Sequence, residues 1–143
     1  MTDEQVALKW ASSFANGDIQ AAAAILASDA TIHDVPASER LIGPRAFIEY
    51  ASAWTEAFDV EVSTTAVERE APGLIRLELS AKLRHVRPFH SRWGDVAPTG
   101  KDCFLSVEHR CRIAQDHIAE VSASYDLASL LDCIGLRLPG TRV

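Results

Sequence analysis

Residues 103–126 read CFLSVEHRCRIAQDHIAEVSASYD, and they alternate on both sides of a two-residue break. Before the break, Cys103, Leu105, Val107, His109, Cys111 and Ile113 form an apolar row opposite Ser106, Glu108, Arg110 and Arg112. After it, Ala119, Val121, Ala123 and Tyr125 form a second row, opposite Ile118, Glu120, Ser122, Ser124 and Asp126. A period of two is the signature of a strand. Gln115-Asp116 is short enough to turn a hairpin. Folding the segment about that turn brings His109 near-opposite Ala123, where only a methyl group stands. An imidazole then faces a gap.

Two more strands precede this hairpin. Ile75, Leu77, Leu79, Ala81, Leu83 and His85 alternate with Arg76, Glu78, Ser80, Lys82 and Arg84. Val60, Val62, Thr64 and Ala66 alternate with Glu61, Ser63 and Thr65, and Pro72-Gly73 supplies the turn between the two runs. A long loop punctuated by Pro88, Gly94, Pro98 and Gly100 leads into residue 103.

Closer to the N-terminus the period lengthens. Thr2 and Gln5 form a capping-box pattern, and Val6, Trp10 and Phe14 recur every fourth residue. Asn16-Gly17 ends that helix, and Asp18 caps a second one with Ile19, Ala22, Ala23 and Leu26 inward. Ala30–Asp34 reads as a short strand followed by a loop at Pro36. Gly43-Pro44 opens a third helix, with Phe47, Ile48, Ala51, Trp54 and Phe58 along one side. Helices first and antiparallel strands after predict an α+β fold, a curved sheet with about three helices on one face, as one domain over residues 1–143.

Composition excludes several functions. A formal charge of -6 and a pI near 5.3 give no basic footprint for nucleic acid. No apolar run reaches the length that spans a bilayer, and MTDEQ does not begin a signal peptide. Three cysteines without a C-x-x-C predict free thiols, buried fillers in a reducing, cytoplasmic compartment. The five histidines show no metal spacing.

The polar groups in apolar rows are His85, His109 and Tyr125, an acid/base set if they face one cavity. His33-Asp34 closes the first strand as a pair that can orient a ligand or each other. His90 and His117 read as surface residues, and Glu39 and Arg40 as solvated loop charges.

Several stretches resemble a known family. VALKWASSFANGDIQAAAAILASDATIHD, GPRAFIEYASAWTEAFDVEV, HVRPF with GDVAPTGK, and VEHRCRIAQDHIAEVSASYDLASLLDCIGL follow the order of the SnoaL-like polyketide cyclases. Their fold is the nuclear-transport-factor-2-like cone. In that family the last strand carries a histidine-tryptophan-aspartate triplet, or a variant that keeps the aspartate. The aspartate is the general acid/base of an intramolecular aldol closure, assisted by a histidine on the preceding strand. The matching positions are Val121, Ser122 and Ala123, so the histidine is kept as His109 and the carboxylate is gone.

The resemblance implies a cofactor-free, metal-free cyclase, isomerase or dehydratase acting on an apolar, carbonyl-containing small molecule, and a homodimer. His109 would be base or acid, His85 and Tyr125 would stabilise an oxyanion, and Asp34 would stand in for the lost carboxylate. His33, Trp54, Phe58, Phe89, Ala123 and Tyr125 would line the substrate site. The alternative is a non-catalytic ligand-binding or dimer-forming domain. Convergence of at least two polar groups on one cavity separates the two.

Overall fold

The computed structural model describes residues 1–136. Its first helix, α1 (Asp3–Ala15), starts at the capping box: Gln5 N–H donates to Thr2 Oγ1 at 3.1 Å and Thr2 N–H donates to Gln5 Oε1 at 2.8 Å. Val6, Ala7, Trp10 and Ala11 are its buried face. Gly17, at φ 66°, turns the chain, and Asp18 caps α2 (Ile19–Ile25) by accepting from Ala21 N–H. Strand β1 (Leu26–Asp34) follows directly, four residues earlier than its alternation suggests.

The expected loop at Pro36 contains a short edge strand, β2 (Glu39–Ile42), paired with β1. Gly43, at φ 88°, then admits the chain to α3 (Pro44–Ala57); a Cβ there would stand 3.2 Å from the Ser28 carbonyl oxygen. Strands β3 (Phe58–Ala71) and β4 (Leu74–His85) form a long antiparallel pair. The loop after His85 holds a small hairpin of β5 (Phe89–Ser91) and β6 (Gly94–Val96). Then come β7 (Asp102–Ala114), β8 (His117–Ser124) and a fourth helix, α4 (Leu127–Cys133).

The main sheet has six strands in the order β2-β1-β8-β7-β4-β3, all antiparallel except the β1–β8 pair. The β7–β8 turn has Gln115 at φ 51° and Asp116 at φ 61°, the two positive values of a two-residue hairpin turn. His109 pairs directly with Ala123. One face assignment changes near the turn. Ile118, expected on the outer row, is fully buried opposite Ile113, and a register irregularity beside it restores the inward direction of Val121 and Ala123.

The core lies between the helices and the concave face of the sheet. Trp10, Ile75, Leu77, Cys111 and Val121 are buried on one side of it, and Phe58, Leu83, Leu130 and Leu131 on the other. The outer face carries charge. Arg76 is ion-paired with Glu68, Glu78 and Glu108, and Arg110 with Glu70 and Glu108.

The cysteine expectation is corrected. Cys103 at the start of β7 and Cys133 at the end of α4 form a disulfide, with Cα atoms 6.1 Å apart. Only Cys111 is a free thiol, buried in the core and pushed up to about 12 by that burial. The cytoplasmic expectation rested on three free thiols and loses that support. No helix among the described residues is long and apolar enough to cross a membrane.

Candidate active site

A cavity of about 440 Å³ opens between α1, α3 and the concave sheet face. Its walls are mostly aromatic and aliphatic, among them Phe14, Ile32, Phe47, Trp54, Phe58 and Leu79. Two polar stations stand in this apolar lining, on either side of Ala123.

The first is Asp34, the last residue of β1. It is 1% exposed and is the register partner of Ala123 in the parallel ladder. Its Oδ1 accepts from Ala37 N–H at 3.2 Å. Its Oδ2 accepts from the Tyr125 hydroxyl at 2.8 Å and from the Tyr50 hydroxyl. Three donors on one carboxylate is the pattern of an ionised acceptor. Burial, with the neighbouring charge of Asp34, raises both phenols far above their ordinary value, so they remain donors.

The second station is His109, reached from the other side. Trp10 Nε1–H on α1 donates to His109 Nδ1 at 3.1 Å. The Phe14 ring stands edge-on to the imidazole, with centroids 5.6 Å apart. Burial among these rings lowers the histidine to about 4. It is therefore neutral at physiological pH.

Asp34, Ala123 and His109 thus form one row across three neighbouring strands, on the face that lines the cavity. With strands ~4.8 Å apart, the backbones of Asp34 and His109 are about 10 Å from each other. The missing side chain at Ala123 leaves a notch between a carboxylate and an imidazole. At the mouth, Arg87 donates to the Glu56 and Thr55 carbonyls at 2.8 and 2.9 Å and pairs with Asp59 at 3.0 Å, fixing the end of α3.

The comparisons with known proteins agree with this architecture. The family description "SnoaL-like polyketide cyclase" matches residues 4–133. The chain belongs to the SnoaL-like polyketide cyclase family. No curated protein matches it in sequence. Among solved structures, it is similar to a candidate polyketide cyclase from Pseudomonas putida KT2440, with a TM-score of 0.82, 18% identity and coverage of 94% of this chain and 99% of that one. It is also similar to a protein of ketosteroid isomerase-like fold from Catenulispora acidiphila, solved with trimethylamine (TM-score 0.76, 17% identity, 96% and 97% covered). An NTF2-like protein of unknown function from Burkholderia pseudomallei gives a TM-score of 0.74 at 13% identity, with 94% and 99% covered. At these identities the likeness to the three solved structures is one of fold.

This SnoaL-like chain brings together six of the nine residues expected at its site: Asp34, Trp54, Phe58, His109, Ala123 and Tyr125 all line the cavity. His85 does not join them. It is fully buried behind Phe58, with ring centroids 5.2 Å apart, and its Nδ1 accepts from Thr99 N–H at 3.2 Å. Its backbone bonds to Lys101 and Gly100 close the loop, so its geometry is that of a brace. Phe89 supports the cavity wall from behind, against Trp54 and Phe58. His33 faces away from Asp34, because consecutive strand residues point to opposite sides. Among the described residues, no three His, Cys, Asp or Glu side chains are grouped to hold a metal ion.

Two residues were missed from the sequence. Tyr50 lies three residues after Phe47 and four before Trp54, on the same helix face; that spacing was a usable signal. Trp10 reads as ordinary core from its helix period. Nothing local announces that its indole N–H meets a side chain 99 positions away.

Proposed function

We propose that this SnoaL-like chain is a cofactor-free acid/base enzyme of the cyclase, isomerase or dehydratase type, with Asp34 replacing the carboxylate that position 123 lacks. The observation that carries the reading is Asp34 itself: a buried carboxylate beside Ala123, at the wall of an apolar cavity and across a notch from His109. An apolar cavity with a few convergent polar groups suits a small hydrophobic ligand.

A carbonyl compound seated over Ala123 would place its α-carbon toward Asp34 and its oxygen toward His109. Asp34 takes the α-proton, and the C–H electron pair passes into the carbonyl as an enolate. The enolate oxygen is stabilised by hydrogen bonding on the His109 side. The enolate then attacks within the molecule, expels a leaving group or is reprotonated by Asp34. Tyr50 and Tyr125 hold the carboxylate toward the cavity throughout. The acidity comes from the substrate carbonyl, so the step draws on no cofactor. Convergence of two polar stations supports catalysis over passive binding. The outer sheet face, with Phe104 exposed among its charges, is the surface we propose for pairing with a second copy.

Solvent exchange tests the chemistry without knowing the natural substrate. A bicyclic aromatic ketone in deuterated buffer should gain deuterium at its α-carbon faster with the protein than with buffer alone. Asp34→Asn should return the rate to the buffer value. An Asp34→Asn variant as fast as the parent, or no exchange above buffer across a panel of such ketones, would leave a binding domain as the reading.

A further inference from the structure

We infer that Trp10 is a positioning residue that fixes His109 in the Nε2–H tautomer, so that the cavity offers its ligand a hydrogen-bond donor at the Ala123 notch and not a second base. Indole Nε1–H can only donate. The 3.1 Å contact therefore requires an unprotonated, accepting Nδ1 on His109. A neutral imidazole has one ring proton, which must then lie on Nε2. The Trp10 contact engages Nδ1 and leaves Nε2 free to face a ligand, and the His109 side chain lines the cavity. The ligand group that completes this arrangement is an acceptor oxygen, such as a carbonyl or the enolate it becomes.

The surroundings keep the ring in that state. Trp10 and Phe14 face it from α1, Leu77 is its neighbour on β4, and Ala123 is its neighbour on β8. The titratable groups lining the same cavity are Asp34 on β1 beyond Ala123, the phenols of Tyr50 and Tyr125, and Asp18, Asp59 and Arg87; the thiol of Cys111 is buried on the same strand as His109. No carboxylate among the described residues is within ion-pair distance of His109 to draw a second proton onto it. Trp10 is itself 1% exposed, so water does not compete for its N–H. Burial lowers the histidine to about 4, and the Trp10 contact sets its direction as a donor.

The inference deepens the reading above and rests on it only for the identity of the acceptor oxygen. It is tested by nitrogen NMR of the histidine rings in the intact protein, through long-range proton–nitrogen correlations between pH 5.5 and 7.5. His109 should show a pyrrole-type Nε2 and a pyridine-type Nδ1, unchanged over that range. A protonated Nδ1, or an imidazolium at pH 5.5, would overturn the inference. In Trp10→Phe the Nδ1–H tautomer should appear and the His109 midpoint should rise by about half a unit to one unit, the worth of one hydrogen bond to the neutral ring. Because Trp10 is a core residue, the reciprocal variant gives a second reading: His109→Leu should shift the Trp10 indole N–H resonance and speed its exchange with solvent. An unmoved indole signal would contradict the contact. None of these spectra depends on turnover. The tautomer assignment and the solvent-exchange chemistry can therefore fail separately.

Discussion

The Tyr125 hydroxyl donates to Asp34 Oδ2 at 2.8 Å and ties the end of β8 to the end of β1. The bond is made at the sheet's parallel pair, where no hairpin joins the strands. It holds the carboxylate at the cavity wall, where Ala37 N–H, in the segment between β1 and β2, also donates to it.

Tyr125→Phe removes that donor and keeps the ring. A hydrogen bond to a charged group contributes about 1.5–3 kcal/mol, so the variant should lose roughly that much stability. Chemical denaturation at neutral pH measures it. Tyr50→Phe should act in the same direction, and the double variant should depart from the sum of the two single effects, because both phenols share one oxygen. Loss of less than about 0.5 kcal/mol in Tyr125→Phe would mean the bond is not made in solution.

Stability should fall as the solution is made acidic. His109 is lowered to about 4 in the folded chain, whereas an unfolded histidine titrates near 6.5. Below about pH 6.5 the unfolded chain therefore takes up the proton first. The stability due to the neutral ring is complete above about 6.5 and is lost as pH falls toward 4, up to about 3 kcal/mol. His85, lowered by its own burial, acts in the same direction. His109→Leu should flatten the slope between pH 6.5 and 4.5 in urea titrations, and His117→Leu, at the exposed start of β8, should not. Equal slopes in both variants would refute the burial of His109.

The Cys103–Cys133 bond closes a segment of 30 residues between β7 and α4. Chain entropy gives such a loop about 3–4 kcal/mol of stabilisation. Cys133→Ser should lower the thermal midpoint, and a thiol reductant should lower the parent to match. An unchanged midpoint under both treatments would show that the thiols are not joined.

Strand periodicity carried most of the fold, because β4 and β7 alternate cleanly and a polar slip would bury Arg76, Glu108 or Arg110. It failed where elements are short or locally ambiguous. Glu39–Ile42 is a four-residue edge strand with two charges, and its pairing with β1 is a tertiary choice. Leu127–Cys133 is a seven-residue helix whose pattern is too brief to stand out, and missing it also hid the disulfide partner of Cys103. At the site, the gap at Ala123 opposite His109 was legible from the hairpin alone. The opposing carboxylate was legible only as a candidate, since Asp34 reaches the site through a parallel β1–β8 pairing that no local turn encodes. His85 was misread because an inward-facing ring at the end of a row can brace a loop as readily as line a cavity.

The Ala123 notch seats a ligand oxygen beside His109 and within the influence of the Asp34 carboxylate, which carries the negative charge until it takes the α-proton. A naphthol acidic enough to be ionised at neutral pH mimics that enolate. Calorimetric titration of this probe against the parent, Asp34→Asn and His109→Leu measures both influences at once. Asp34→Asn should bind about tenfold more tightly, since it removes a nearby like charge. His109→Leu should bind about tenfold more weakly, since it removes one hydrogen bond to a charged oxygen. Equal affinity in all three proteins would place the oxygen elsewhere and contradict the account.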